Sequence, residues 1–182
     1  MSWFGNTVCY NHRVMKKILS LLMLGLLLQA CALPPPILTS TLSLDLPSGA
    51  GVISNTTFTD FRSSTSNGLT TLTFSNEDGD ILEFKINGLH SGNQYDITGS
   101  NKLAGTIKIN DELGQLTQLQ VENTGEGFLN VTGMTGGGNN IQALAGSFQV
   151  NIQVAGTENG NTIDPTTTGT IIGNIGFNHS GQ

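Results

Sequence analysis

The chain has little cysteine, tryptophan, histidine or charge, and each shortage narrows what it can be. Its two cysteines are Cys9 and Cys31, so the chain beyond residue 31 carries no thiol. A disulfide, a cysteine nucleophile and a cysteine-ligated metal are excluded there by count. That stretch must cohere by packing alone, and its length is that of one ordinary domain. The single tryptophan is Trp3, which leaves Tyr95 and the phenylalanines as the only rings beyond Cys31 on which a sugar could stack. Charged residues make up 11% of the chain. Of the seven basic residues, Arg13, Lys16 and Lys17 precede Cys31. The four that follow, Arg62, Lys85, Lys102 and Lys108, face all 13 acidic residues, a formal charge of −9. Such a surface repels phosphate backbones and anionic lipid, so nucleic acid is not an expected partner. Long apolar runs are also missing. The longest, Ile18 to Leu28, is about half of the ~20 residues a spanning helix needs.

That short run matches the apolar centre of an export signal. Lys16 and Lys17 form the basic region before it, and a small residue, Ala30, stands at its end. Cys31 follows at once. Leu28-Gln29-Ala30-Cys31 resembles the lipobox of bacterial lipoproteins, with Gln29 in place of a commoner residue. The resemblance covers the leader alone. It implies cleavage between Ala30 and Cys31, and a diacylglyceryl group on the Cys31 sulfur that anchors the protein in a bilayer. By the same resemblance, Ala32 is not the aspartate associated with inner-membrane retention, so an outer membrane is the expected address where the cell has one. Residues 1–14 suit a signal poorly, whereas "MKKILSLL" from Met15 is an ordinary beginning, so Met15 rather than Met1 is the expected start. The expected organisation is a signal peptide over 1–30, forming a signal helix, a lipidated tether over 31–40 and one β-domain over 41–182. Pro34, Pro35 and Pro36 stiffen the tether, because polyproline is extended.

Beyond the tether the hydrophobic pattern has a period of two. In "SFQVNIQV", Phe148, Val150, Ile152 and Val154 alternate with Gln149, Asn151 and Gln153. "LTTLTF" and "ILEFKI" repeat the pattern, and "LSLDL", "GTIKIN", "TQLQVEN", "GFLNVTG" and "TIIGNIGF" continue it less cleanly. Alternation of this kind marks strands with one buried face. No segment after the signal has the 3,4 spacing of a helix. Turn chemistry separates the strands at "NEDGD", "NGLHSGN", "NTGEG", "GMTGGGNN" and "GTENGNTIDP". The expected fold is an all-β antiparallel β-sandwich, with a small closed β-barrel as the alternative. "SFQVNIQVAG", uncharged and rich in β-formers, is a pairing or aggregation hazard if it lies at an edge; a central position would bury it.

Motifs for chemistry are few. Asn76, Glu77, Asp78 and Asp80 gather oxygen atoms around Gly79 and form a weak calcium candidate, without EF-hand spacing. His90, with Ser91, Tyr95 and Asp96 nearby, is the one place a hydrolase or small-ligand site could form; the sequence has no G-x-S-x-G and no H-E-x-x-H. "GGGN" at 136–139 opens no helix, so it is not a phosphate loop. No cofactor is implied. The functional expectation is a non-enzymatic envelope lipoprotein, held by acyl chains on Cys31 and binding an envelope protein or polysaccharide. The alternative is a periplasmic hydrolase or small-ligand binder that uses the His90 loop.

Overall fold

A computed structural model describes residues 36–45, 51–110, 116–158, 161–162 and 167–178. The expected signal helix, Ala30 and Cys31 lie outside the described residues. Every regular element among the described residues is a strand. In chain order these are β1 (Leu38–Asp45), β2 (Gly51–Phe58), β3 (Asp60–Ser66), β4 (Leu69–Ser75), β5 (Ile81–Asn87), β6 (Asn93–Asp96), β7 (Lys102–Asn110), β8 (Leu116–Gly137), β9 (Asn140–Glu158), β10 (Asn161–Thr162) and β11 (Thr168–Asn178).

All pairings are antiparallel, and the hydrogen-bonded path runs β2-β1-β11-β9-β8-β7-β5-β4-β3, with β6 on β8 and β10 on β9. The all-β, antiparallel reading holds. The two ends of this path are consecutive in the chain, since Thr59 alone separates β2 from β3. The sheet therefore curls until its first edge runs directly into its last. The sheet also takes in Leu38–Ser40, three residues assigned to the tether on sequence, and Ile37 and Leu38 are both buried.

Period-two patterning fixes which side chains line the inside of the curl. One cross-strand row runs Tyr95, Leu129, Phe148, Gly173, Ser40, Thr56, passing through β6, β8, β9, β11, β1 and β2. Phe148 occupies the space that Gly173 leaves empty. A Cβ on Gly173 would stand 2.4 Å from the Phe148 ring and 2.7 Å from the Thr39 carbonyl oxygen. Four ring contacts then cross the interior: Phe148–Phe84 at 5.0 Å, Phe84–Phe74 at 6.3 Å, Phe74–Phe61 at 5.2 Å and Phe61–Phe177 at 4.6 Å between centroids. Tilted and edge-on rings of this kind add to simple area burial.

"NTGEG" is not a turn. It is an irregularity inside the single strand β8, with a register shift between Asn123 and Gly127. Gly127 has φ +142 and lies so near Val150 that a Cβ would sit 2.6 Å from its Cα. The break lets β8 change partners, pairing with β7 before it and with β6 after it. Asn123 secures the change, since its amide donates to the Ile97 carbonyl at 3.2 Å and its oxygen accepts from the Leu103 N–H at 3.1 Å. "SFQVNIQVAG" lies in β9, between β8 and β11, and is paired along both sides. It is a central strand, and no edge of it is exposed there.

Candidate functional site

The acidic hairpin tip has a structural task. Asp80 is buried, and both of its carboxylate oxygens are occupied by donors. One accepts the Lys108 backbone N–H at 2.7 Å and the other accepts the Asn76 side-chain amide at 2.8 Å. Asn76 returns the bond, its oxygen accepting the Asp80 N–H at 2.9 Å, and its amide also donates to the Thr57 carbonyl at 3.1 Å. Lys108 Nζ donates to the Asp78 carbonyl, and Gly79, at φ +84, lets the chain pass beneath that ammonium. Asn76 and Asp80 thus form a latch that ties the β4–β5 turn to β2 on one side and to β7 on the other. Asp78 and Glu77 remain exposed at the tip.

Beside this latch opens a polar cleft of about 350 Å³, lined by Ser54, Asn55, Thr56, Thr57, Asn76, Asp78, Asp80 and Lys108. It exists because β5 stops short. β5 accompanies β7 only from Lys102 to Thr106, so β7 continues past it without that neighbour. On the opposite wall β2 pairs, among the described residues, with β1 alone. The cleft is the open seam between these two strands, with the latch as its floor. A second cleft of about 380 Å³ lies against β3, between Phe61, Arg62 and Ser63, the β8–β9 turn (Asn139–Gln142) and Phe177. There the turn reaches across: Asn139 Oδ1 accepts the Thr65 N–H at 2.5 Å, and the Ile141 N–H approaches Ser63 Oγ at 3.5 Å.

No family model, curated protein or solved structure matches this chain. Its chemistry must therefore be read from its own residues.

The His90 loop brings Tyr95 to the His90 backbone but not Asp96 to the same face. Tyr95 shares the inner face with Leu129, and its hydroxyl staples the loop. The hydroxyl accepts the His90 N–H at 2.5 Å and lies 3.1 Å from the Gly88 carbonyl and 3.2 Å from the His90 carbonyl. Asp96, the next residue along β6, is exposed and points to the other face. His90 and Ser91 are exposed as well, and neither lines either cleft. A base, its orienting carboxylate and a nucleophile must lie within hydrogen-bond reach of one another, and among the described residues no hydrogen bond joins the His90 ring, the Ser91 hydroxyl and the Asp96 carboxylate.

The seam escaped sequence reasoning for a definite reason. "GVISNTTF" alternates poorly: Thr56 and Phe58 turn inward, whereas Ile53 is 72% exposed on the outer side. The usable signal was a deficit, namely a β-rich stretch without charge or proline to guard it.

Proposed function

We propose that the chain is a bacterial lipoprotein, acylated on Cys31, that carries its β-domain as a non-enzymatic binding module of the cell envelope. The observation that carries this reading is the short distance between the lipobox and the fold. Six residues after Cys31, the Ile37 N–H already donates to the Phe58 carbonyl at 2.8 Å, and the Ile37 carbonyl accepts from the Gly176 N–H at 2.8 Å. With an outer membrane present, that is the membrane that holds it. Sandwich and barrel both have the strands to serve such a module. We read the curled sheet as a barrel left open along a seam, because one hydrogen-bonded path returns to itself through Thr59.

The intact mass of the natively expressed protein tests the anchor. A chain beginning at Cys31 with added diacylglycerol is the expected result, and Cys31→Ser should leave the signal uncleaved and unacylated. An unmodified chain that still begins at residue 1 or 15 would overturn the reading.

A further inference from the structure

We propose that the seam between β2 and β7 is an acceptor slot for one extended strand of a partner polypeptide, rich in β-branched residues and carrying positive charge. The inference rests on the reading of the β-domain as a binding module and is independent of the lipid anchor. In an antiparallel strand the backbone groups of alternate residues point to the same side. The Thr57 carbonyl points away from β1, since it accepts the Asn76 amide. Asn55 and Ile53 therefore present their N–H and C=O groups to the same open side. Across the cleft the Lys108 N–H points away from β8, towards Asp80. The latch thus occupies the lowest groups of both walls with side chains, and the backbone groups above it stand open on β2.

Three features make this an acceptor rather than an unfinished edge. Natural edges are guarded by lysine, proline or bulges. β2 has no charged residue and no proline, and its register with β1 is unbroken from Gly51 to Phe58. Ile53, 72% exposed, is a β-branched residue that would pack beside a neighbour on an added strand. The rim is acidic, with Asp78 and Glu77 exposed at the tip of the turn. A chain with formal charge −9 after Cys31 repels its own copies and attracts a cationic segment. Main-chain hydrogen bonds would supply affinity, and Ile53, Asn55 and Asp78 would supply selectivity, as in other strand-addition complexes.

The test uses the exported protein in detergent, whatever N-terminus it carries. The probe is a fluorescent nonapeptide of alternating threonine and valine with a lysine at each end. Its control is the same peptide N-methylated at alternate residues, which cannot form a ladder. The expected result is saturable binding of the first peptide and none of the second, with hydrogen exchange at the Ile53 and Asn55 amides slowed at least tenfold. Ile53→Lys, at a position that solvent already surrounds, should weaken binding tenfold or more with the fold intact. Asn55→Pro, which removes one of the open N–H groups, should do the same. Absence of binding, binding that leaves those two amides unprotected, or binding that survives Ile53→Lys would each overturn the proposal. So would a concentration-dependent dimer that protects the same amides, since the occupant would then be a second copy. Failure of the lipoprotein reading shows separately, as a mass without diacylglycerol.

Discussion

The two edges of this sheet are one stretch of chain, yet they are finished differently. β3 carries Asp60 and Arg62, and the β8–β9 turn reaches over it to engage Thr65 and Ser63. β2, one residue upstream, has no charge and no proline, and among the described residues no turn reaches over it above the latch. Charges on an edge make pairing with a stray strand costly, because ionic groups must be desolvated to fit beside one. The same fold therefore guards one seam and leaves the other open. A sheet that merely failed to close would be expected to leave both in the same condition. The asymmetry is what the strand-addition proposal requires of the β2 edge.

The largest effect should come from the wall that both edges share. Gly173→Ala places a Cβ 2.4 Å from the Phe148 ring, with the Thr39 carbonyl 2.7 Å away on the other side. The ring cannot withdraw without disturbing Phe84, 5.0 Å away. Overpacking of this kind costs about 3 kcal/mol, visible as a lower urea midpoint with an unchanged slope. Both clefts should loosen together, because the curl itself is altered.

Next comes the latch, whose removal should open one seam only. Asp80→Ala deprives the Lys108 N–H and the Asn76 amide of their acceptor in a buried position. An orphaned buried donor costs about 1–3 kcal/mol, and the sum here should be about 2–3 kcal/mol. Hydrogen exchange should quicken at Lys108 and at residue 80, whose N–H the Asn76 oxygen accepts, while Thr65 keeps its protection. If all three quicken equally, the two seams are coupled and the comparison between them fails.

The fold class was legible in the sequence because alternation is a direct image of a half-buried strand. β4, β5 and β9 each buries its odd or even set as the pattern requires. β2 and β3 were not legible. Their inward positions hold Ser54, Thr56, Ser63 and Thr65, small polar residues that tolerate a crowded curl and erase the hydrophobic signal. Asn67-Gly68, with φ of 52 and 79, is the hairpin dipeptide that joins β3 to β4, and it would have revealed β3. "NTGEG" misled for the opposite reason, since glycine serves a bulge as readily as a turn. The site was less legible than the fold. Asn76, Asp78 and Asp80 resemble a cation loop by composition, and only the positions of the Lys108 and Thr57 backbones show that two of them form a latch. Which strands end early, and so where a seam lies, is a property of pairing that no local pattern carries.

On the guarded side the effects should be smaller. Phe61→Ala removes a half-buried ring that touches Phe74 and Phe177 and should cost about 1.5 kcal/mol. Asn139→Ala leaves the Thr65 N–H without its acceptor at an exposed site and should cost about 0.5–1 kcal/mol. In the first case the fold weakens as a whole; in the second, exchange should quicken at Thr65 alone. Thermal denaturation and site-resolved exchange distinguish the two.

The smallest change in stability should accompany the sharpest test of the comparison. Asp60→Thr with Arg62→Thr gives β3 the neutral composition of β2 at two exposed positions, and it should alter stability by less than about 0.5 kcal/mol. If charge alone guards β3, this double variant will self-associate, as seen by a concentration-dependent shift in light scattering. If the β8–β9 turn contributes, the double variant will stay dispersed and association will appear only when Asn139→Ala is added. The geometry favours the second outcome. The Asn139 oxygen holds the Thr65 N–H at 2.5 Å, and an incoming strand would have to displace it before the first rung of a ladder could form. No such displacement is required at Ile53 or Asn55 on β2, where the backbone groups are already exposed to the cleft side. Charge and cover are thus separable guards, and only the edge that has neither is available to a partner.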